Sequence, residues 1–331
     1  MDMCVCDITA LECIRLMGAR DGRLVPLAGD VCVDVPKRRV EGSALLHLLK
    51  CGASAHRPLD VLAPEANRRM RAQGVHAHVW SGPYPPGSFI DLGQGIACLS
   101  PCALFTRMAK DLPFAKRILL AYELAGCYAI VPNPEYDSDL EQQGFVNRAY
   151  RTRTLERRPL ASISELVRYA AENSHLHGSR AALEALRYAL DGAASPLESR
   201  LALITQLPQR LGGYELGEAV LNYRVDTDES YRKIDVYLPH DHVGLEADSR
   251  AHHGTLEAIE RDSARRNSLL AQGISMVNIS TAEMEDPLLF HEVMRAVYKL
   301  QHREFRIRST KFEQKRDELW AVLFPWSRCE R

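Results

Sequence analysis

The chain has 331 residues, with 42 lysines and arginines against 43 aspartates and glutamates and a formal net charge of −1. This length favours two domains, and the near-neutral charge argues against a protein that coats nucleic acid without specificity. No apolar run approaches the ~20 residues that cross a membrane. The nine cysteines lack paired zinc-site spacing, which predicts reduced thiols in a cytoplasmic protein.

The N-terminal part of the chain predicts two modules and a linker. Residues 1–40 predict a short helix followed by a hairpin, and residues 41–135 predict a smaller α/β domain. Within that domain, Ser100 and Pro101 are placed to cap and open a helix. Residues 136–160 are polar, acidic and interrupted by proline and glycine, and this composition predicts a linker.

Two histidines in the predicted α/β domain raise the question of a metal site. His76 and His78 alternate along the predicted strand from Val75 to Trp80 and therefore share one face of it. That spacing suits metal binding, but the sequence suggests no third ligand. Two surface histidines is therefore the preferred interpretation.

The C-terminal half predicts helices and then a second domain. Residues 161–194 predict a helical connection, residues 195–300 a second α/β domain, and residues 301–331 a basic helical tail. The second domain is expected to open with a helix that Ser195 caps and whose Glu198 reaches back to the cap. Capping alone is a sufficient reason for a glutamate at that position.

Two predicted strands of the second domain carry acidic residues. Residues 232–238 alternate apolar and polar side chains, and residues 243–247 follow after a turn. The two strands are therefore expected to pair as a hairpin, with Glu246 level with Asp235. Acids are unfavourable inside β-prone strands, and two at one level favour a metal site over surface charge. Carboxylates are what hydrated Mg²⁺ (or Mn²⁺) and a scissile phosphate would require.

The segment after the hairpin supplies histidines and arginines. His252 and His253 follow Asp248 closely, and either imidazole is suited to proton transfer near neutral pH or to an exposed loop. The next predicted helix carries basic residues between Arg261 and Arg266. These side chains either neutralise phosphate or pair with neighbouring acids at helical spacing.

Four short motifs of the second domain form one composite pattern. The motifs are SPLE at Ser195–Glu198, ID at Ile234–Asp235, EADSRAH at Glu246–His252 and RDSAR at Arg261–Arg265, with Leu269 and Gly273 beyond them. On these motifs, residues 195–281 resemble the nuclease-like domain related to the very-short-patch mismatch-repair endonucleases, within the PD-(D/E)xK fold. Residues 43–190 resemble, more loosely, the upstream region of such bacterial proteins, which is related to abortive-infection antitoxins.

The resemblance implies a C-terminal restriction-endonuclease-like mixed sheet flanked by helices, preceded by a smaller α/β domain. It also implies Mg²⁺-dependent hydrolysis of a DNA phosphodiester bond. Asp235 and Glu246 would bind the metal, with Glu198 as a further ligand. His252 would assist proton transfer. Three further residues are candidates for supporting these groups or for facing the phosphate. They are Asp248, Asp262 and Arg265.

Two positions depart from the general signature of that fold. The signature lysine would fall at Asp248, although the resembled subgroup also carries aspartate there, which shifts proton transfer to a histidine. Ser249 replaces the usual glycine and tolerates a positive φ less well. The alternative function is a nuclease fold that no longer cleaves and acts as a DNA-binding regulator or antitoxin-like protein. A protein-interaction module that uses the last helices is a further alternative.

Overall fold

The computed structural model of the protein describes residues 3–21, 24–27, 40–65, 74–80, 83–133, 151–226, 231–248 and 269–326. The chain divides into two units, Met1–Arg187 and Tyr188–Arg331. Each unit combines helices with a mixed β-sheet, so the predicted α/β class is confirmed. The boundary between the units lies within the helical connection predicted at 161–194. Among the described residues, no helix is long and apolar enough to cross a lipid bilayer.

The first unit is built on a five-stranded sheet with the strand order β3-β2-β1-β5-β4. Its strands are β1 (Met3–Val5), β2 (Leu59–Ala63), β3 (Val75–Val79), β4 (Phe89–Gly93) and β5 (Ile96–Leu99). The β2–β3 and β1–β5 pairs are parallel, whereas the β1–β2 and β4–β5 pairs are antiparallel. Because β1 is the central strand, the start of the predicted 1–40 module shares one sheet with the predicted 41–135 domain.

Six helices are described in the first unit. They are α1 (Asp7–Asp21), α2 (Gly42–Cys51), α3 (Pro101–Ala109), α4 (Phe114–Ala125), α5 (Ile163–Glu172) and α6 (Ser179–Leu186). The predicted start of α3 is confirmed, because Ser100 Oγ accepts a hydrogen bond from the Ala103 N–H at 3.4 Å. None of the described cysteines of this unit forms a disulfide bond.

A two-stranded antiparallel sheet of β6 (Tyr128–Pro132) and β7 (Thr152–Glu156) completes the first unit. The strand β7 and the buried Arg157 fall inside the predicted linker at 136–160. That part of the linker therefore belongs to the fold of the first unit. Residues 134–150 lie outside the described residues.

The second unit is built on a four-stranded sheet with the order β11-β10-β9-β8. Its strands are β8 (Val220–Asp226), β9 (Tyr231–Leu238), β10 (Val243–Asp248) and β11 (Ser275–Ser280). The β8–β9 and β9–β10 pairs are antiparallel, and β10 and β11 run parallel. The predicted hairpin is confirmed, and its register pairs Leu245 with Val236, one position before Glu246 and Asp235.

Helices and a short 3₁₀ turn pack around this sheet. They are α7 (Pro196–Gln206), the turn Gln209–Leu211, α8 (Thr281–Glu285), α9 (Pro287–Leu300) and α10 (Phe312–Leu323). The helix α7 packs against β9 and β10. Phe312 and Leu323 of α10 are buried, and Trp320 Nε1 donates to the Met284 carbonyl at 3.0 Å. The predicted tail at 301–331 thus contributes a core helix to the second unit.

Candidate functional site

Glu198 lies at the N-terminus of α7 and is tied to the sheet of the second unit. Ser195 caps this helix as predicted, since its Oγ accepts from the Glu198 N–H at 3.1 Å. The Glu198 carboxylate reaches past Ser195. Its Oε2 accepts from the Ala194 N–H at 2.8 Å and from the Asn222 side-chain amide at 2.7 Å. Because Asn222 belongs to β8, these contacts attach the start of α7 to that strand.

Asn222 has an unusual backbone conformation for a strand residue. Its φ is 48°, in the left-handed region that asparagine adopts more readily than most residues. It lies between two paired positions of β8 and β9, at the level of Asp235. Its amide also donates to the Gly192 carbonyl at 2.9 Å. This kink in β8 holds the Glu198 carboxylate near the level of Asp235.

Asp235 lies where the pairing of β9 and β10 stops. The last pair of this ladder is Leu245 with Val236. Beyond it, the Asp235 carboxylate accepts from the Ala247 N–H through Oδ2 at 2.9 Å. The side chain therefore occupies a position that a backbone carbonyl would otherwise fill. Asp235 is held beside β10, next to the position of Glu246.

Glu246 and Asp248 lie at the C-terminal end of β10 and pair with residues of β11. Glu246 is in register with Asn278, and Asp248 is in register with Ser280. The Asp248 carbonyl accepts from Thr281 Oγ1 at 3.2 Å, which ties the end of β10 to the start of α8. Both acids are partly buried. Asp248, where the resemblance would place a lysine, is therefore at a strand end that pairs with β11.

Glu198, Asp235 and Glu246 thus lie along one level of the second sheet, linked through Asn222 and Ala247. Among the described residues, their carboxylates do not form a group whose ligand atoms all lie within 4.8 Å of one another. The remaining predicted site residues, His252, Asp262 and Arg265, lie outside the described residues, as does Ser249. The structure therefore places the three predicted acids on neighbouring elements without gathering their carboxylates into one cluster.

Close packing supports the strands that carry these acids. A Cβ at Gly244 would collide with Met276 Sδ on β11 and would lie 2.9 Å from Ile234 Cγ2 on β9. Ile234 and Leu269 are almost fully buried in the same apolar cluster. Glycine at position 244 therefore leaves room for the side chains of Met276 and Ile234 to pack against β10.

A second cluster of ionisable side chains, which the sequence did not predict, lies in the first unit. The parallel pairing of β2 and β3 sets Asp60 opposite His76. Asp60 Oδ1 lies 2.9 Å from His78 Nε2 and 3.3 Å from His76 Nδ1. His78 Nδ1 lies 2.9 Å from Asp7 Oδ2. The interpretation of two surface histidines is therefore incomplete, since carboxylates from β2 and α1 contact them.

The contacts in this cluster shift the pKa values of its members. Burial alone would lower the pKa of His78, but hydrogen bonds to Asp60 and Asp7 outweigh it and raise the pKa to about 9. Burial would raise the pKa of Asp60, but hydrogen bonds from His78 and Arg57 lower it to about 2. The pKa of Asp7 is also lowered, because its partners His78 and Arg107 outweigh its burial. Without a metal, His78 is therefore an imidazolium between two carboxylates.

Comparison of the chain with protein-family models, with curated proteins and with solved structures finds no match. The interpretation of both clusters accordingly comes from the residues and from their geometry.

Proposed function

We propose that the second unit is a metal-dependent nuclease that hydrolyses a DNA phosphodiester bond on a restriction-endonuclease-like arrangement of sheet and helices. One observation carries this proposal. Glu198, from the helix before the sheet, is attached through Asn222 at the level of Asp235, and Asp235 is attached through Ala247 beside Glu246. These contacts link three acids from three separate elements, which supports the proposal of a shared acidic site.

The arrangement of elements supports the same proposal. The helix α7 precedes the sheet and packs against β9 and β10, the two strands that carry Asp235 and Glu246. The strands β10 and β11 are parallel, and a parallel pair requires a crossover connection. Residues 249–274 form that connection in sequence and include His252. The proposed proton-transfer residue thus follows shortly after the acidic strand.

The donor set fits a hard divalent cation. Asp235, Glu246 and Glu198 offer carboxylate oxygens, which Mg²⁺ and Mn²⁺ prefer as ligands. Mg²⁺ usually binds through one or two carboxylates and keeps several waters, so the three acids need not all bind it directly. When bound, the ion would polarise the phosphoryl group and lower the pKa of the attacking water.

The protein groups would have separate roles in this reaction. Asp235 and Glu246 would hold the ion, and the Ala247 N–H keeps the Asp235 carboxylate oriented before the ion binds. Asn222 orients Glu198 in the same way. His252 would take the proton from the attacking water or give one to the leaving oxygen. Asp248, Asp262 and Arg265 would support these groups or face the phosphate.

A cleavage assay tests this proposal. Supercoiled plasmid and labelled oligonucleotides are incubated with the purified chain in Mg²⁺, in Mn²⁺ and in chelator. We expect metal-dependent nicking that Asp235→Asn abolishes, because the substitution removes a charged ligand and preserves the side-chain shape. Asp226→Asn is the matched control, since Asp226 is on the same sheet and its side chain is 77% exposed. Equal nicking by wild type and Asp235→Asn would refute the assignment.

The second candidate function is a nuclease fold that binds DNA without cleaving it. The near-neutral net charge and the serine at position 249, in place of the usual glycine, favour it. This candidate predicts DNA binding in a fluorescence anisotropy titration, together with no nicking in any metal ion. Metal-independent binding without cleavage would therefore favour the regulator over the enzyme.

A further inference from the structure

We propose that Asp60, His76 and His78 form a binding site for a divalent transition-metal ion in the first unit, separate from the proposed nuclease site. Their ligand atoms all lie within 4.8 Å of one another. The set contains two imidazole nitrogens and one carboxylate oxygen, which suits ions of the zinc and cobalt class better than Mg²⁺.

The backbone of the first sheet positions this ligand set. The parallel register sets Asp60 opposite His76, and His78 is two residues further along β3. Alternate residues of a strand project from the same face, so both imidazoles lie on the side of Asp60. The two rings are tilted against each other by 53°, with centroids 4.3 Å apart. No rearrangement of the strands is needed to bring the three side chains together.

The distances are close to those that a bound ion requires. With metal–ligand bonds of about 2.1 Å, tetrahedral ligands lie about 3.4 Å apart. Asp60 Oδ1 is already 3.3 Å from His76 Nδ1 and 2.9 Å from His78 Nε2. Shifts of a few tenths of an ångström would therefore admit the ion. The ion would displace the proton that His78 Nε2 shares with Asp60, and that proton would pass to solvent.

Neighbouring side chains already orient the ligands. Arg57 Nη1 holds the other oxygen of Asp60 at 2.7 Å, which leaves Oδ1 directed at the histidines. Asp7 contacts the other nitrogen of His78 at 2.9 Å, and Arg107 Nε in turn contacts Asp7 at 2.9 Å. Metal-binding histidines typically donate their second N–H to a carboxylate in this manner. The contact with Asp7 therefore selects Nε2 of His78 as the ligand.

Charge balance permits a cation at this position. Arg57 also pairs with Glu12, whose Oε2 lies 2.9 Å from Arg57 Nη2, so the charge of Arg57 is shared between two carboxylates. The Asp60 side chain is 9% exposed, whereas the His76 side chain is 68% exposed. The ion would thus be held by a buried carboxylate and reached from solvent on the His76 side. Three protein ligands with one position open to water are typical of catalytic zinc sites.

Metal titration of the full chain tests this proposal. Metal-free protein is titrated with Zn²⁺ by calorimetry and with Co²⁺ by visible absorption. We expect one Co²⁺ site with the visible bands of nitrogen and oxygen ligands, and Zn²⁺ competing for it. His76→Gln should weaken binding at least ~10-fold. Because the His76 side chain is exposed, we expect this variant to fold like wild type.

His56→Gln is the matched control, because His56 is an exposed histidine of the same unit. It should leave the affinity for both ions unchanged. The proposal is overturned if wild type binds neither ion, if His76→Gln binds both as tightly as wild type, or if the Co²⁺ complex shows the near-ultraviolet band of thiolate ligands. The nuclease proposal has a separate outcome, since Asp235→Asn should retain this Co²⁺ site and His76→Gln should retain any nicking.

Discussion

The two candidate clusters lie on β-ladders that differ in how regular their backbone pairing is. In the first unit, β2 and β3 pair along all of their residues, and Asp60 projects from an uninterrupted parallel ladder. In the second unit, the β9–β10 ladder stops just before Asp235, and β8 is kinked at Asn222 on the opposite side. The cluster of the first unit therefore lies on a regular ladder, and the acids of the second unit lie where regular strand pairing ends.

This difference determines what holds each cluster in place. On the regular ladder the strand N–H groups bond to the neighbouring strands, so the Arg57 side chain is the short contact that orients Asp60, beside a longer one from the Thr9 N–H at 3.4 Å. Where the ladder stops, a backbone N–H becomes available, and that of Ala247 binds Asp235. The geometry of the first cluster should therefore depend on ion pairs. That of the second should depend on backbone conformation.

Breaking the ion pairs of the first cluster should give the largest change. Asp60→Asn removes one of the two carboxylates that compensate each of Arg57 and His78, and leaves Arg57 with Glu12 and His78 with Asp7. We expect the free energy of unfolding of the first unit to fall by about 3 kcal/mol. Urea unfolding followed by circular dichroism measures it.

The matched control for that prediction is Asp111→Asn. Asp111 is 70% exposed and lies 3.7 Å from Lys110 across a surface ion pair. Its substitution should change stability by no more than about 0.5 kcal/mol. Similar losses in the two variants would mean that the cluster is not held by its buried charges.

Disturbing the kink of the second cluster should give an intermediate change. Asn222→Ala loses the amide bonds to Glu198 and Gly192 and strains a left-handed φ, at a cost of about 2 kcal/mol. Asn222→Gly loses the same bonds and adopts that φ readily, so it should be about 1 kcal/mol more stable than the alanine variant. Equal unfolding midpoints for the two variants in urea would exclude backbone strain at this position.

A change of pH should give the smallest change in stability, through His291 of the second unit. Burial lowers the pKa of His291 from its usual 6.5, and the nearby Arg316 charge adds to this effect. The folded protein thus binds protons less readily than the unfolded chain does. The contribution of neutral His291 to the free energy of unfolding is therefore fully present above pH 6.5 and is lost as the pH falls through the lowered pKa.

His291→Gln tests the origin of that slope. The imidazole Nδ1 lies 3.2 Å from Tyr214 Oη, and glutamine keeps a polar group there without titrating. Thermal melting between pH 7 and pH 5 should show a decline in wild type that is shallower in the variant. Identical declines would assign the pH dependence to other groups.

Local sequence patterns were sufficient where the structure depends on neighbours in the chain. The start of α3 at Ser100 and the hairpin register around Leu245 follow from capping and from alternation, and both are confirmed. The contact between Asp60 and His76 was not predictable in this way. It requires β2 and β3 to pair in parallel, and nothing in either strand's own sequence specifies that pairing.

Two further features escaped prediction for related reasons. The Glu198 carboxylate was expected to bond at its own helix start, yet it also binds Asn222, whose left-handed conformation within a strand has no local sequence signal. The predicted tail at 301–331 contains the buried Trp320. The sequence did not indicate this burial, because the amphipathic pattern of α10 is weak beside its many charges. In both cases a distant partner determines the outcome.

The central position of β1 bears on how the first unit is made on the ribosome. Met3–Val5 is synthesised before both of its neighbours, Leu59–Ala63 and Ile96–Leu99. Until Leu99 has left the exit tunnel, this apolar strand has no partner on one edge. The central strand of the first sheet therefore gains its second neighbour only after residue 99 has been synthesised.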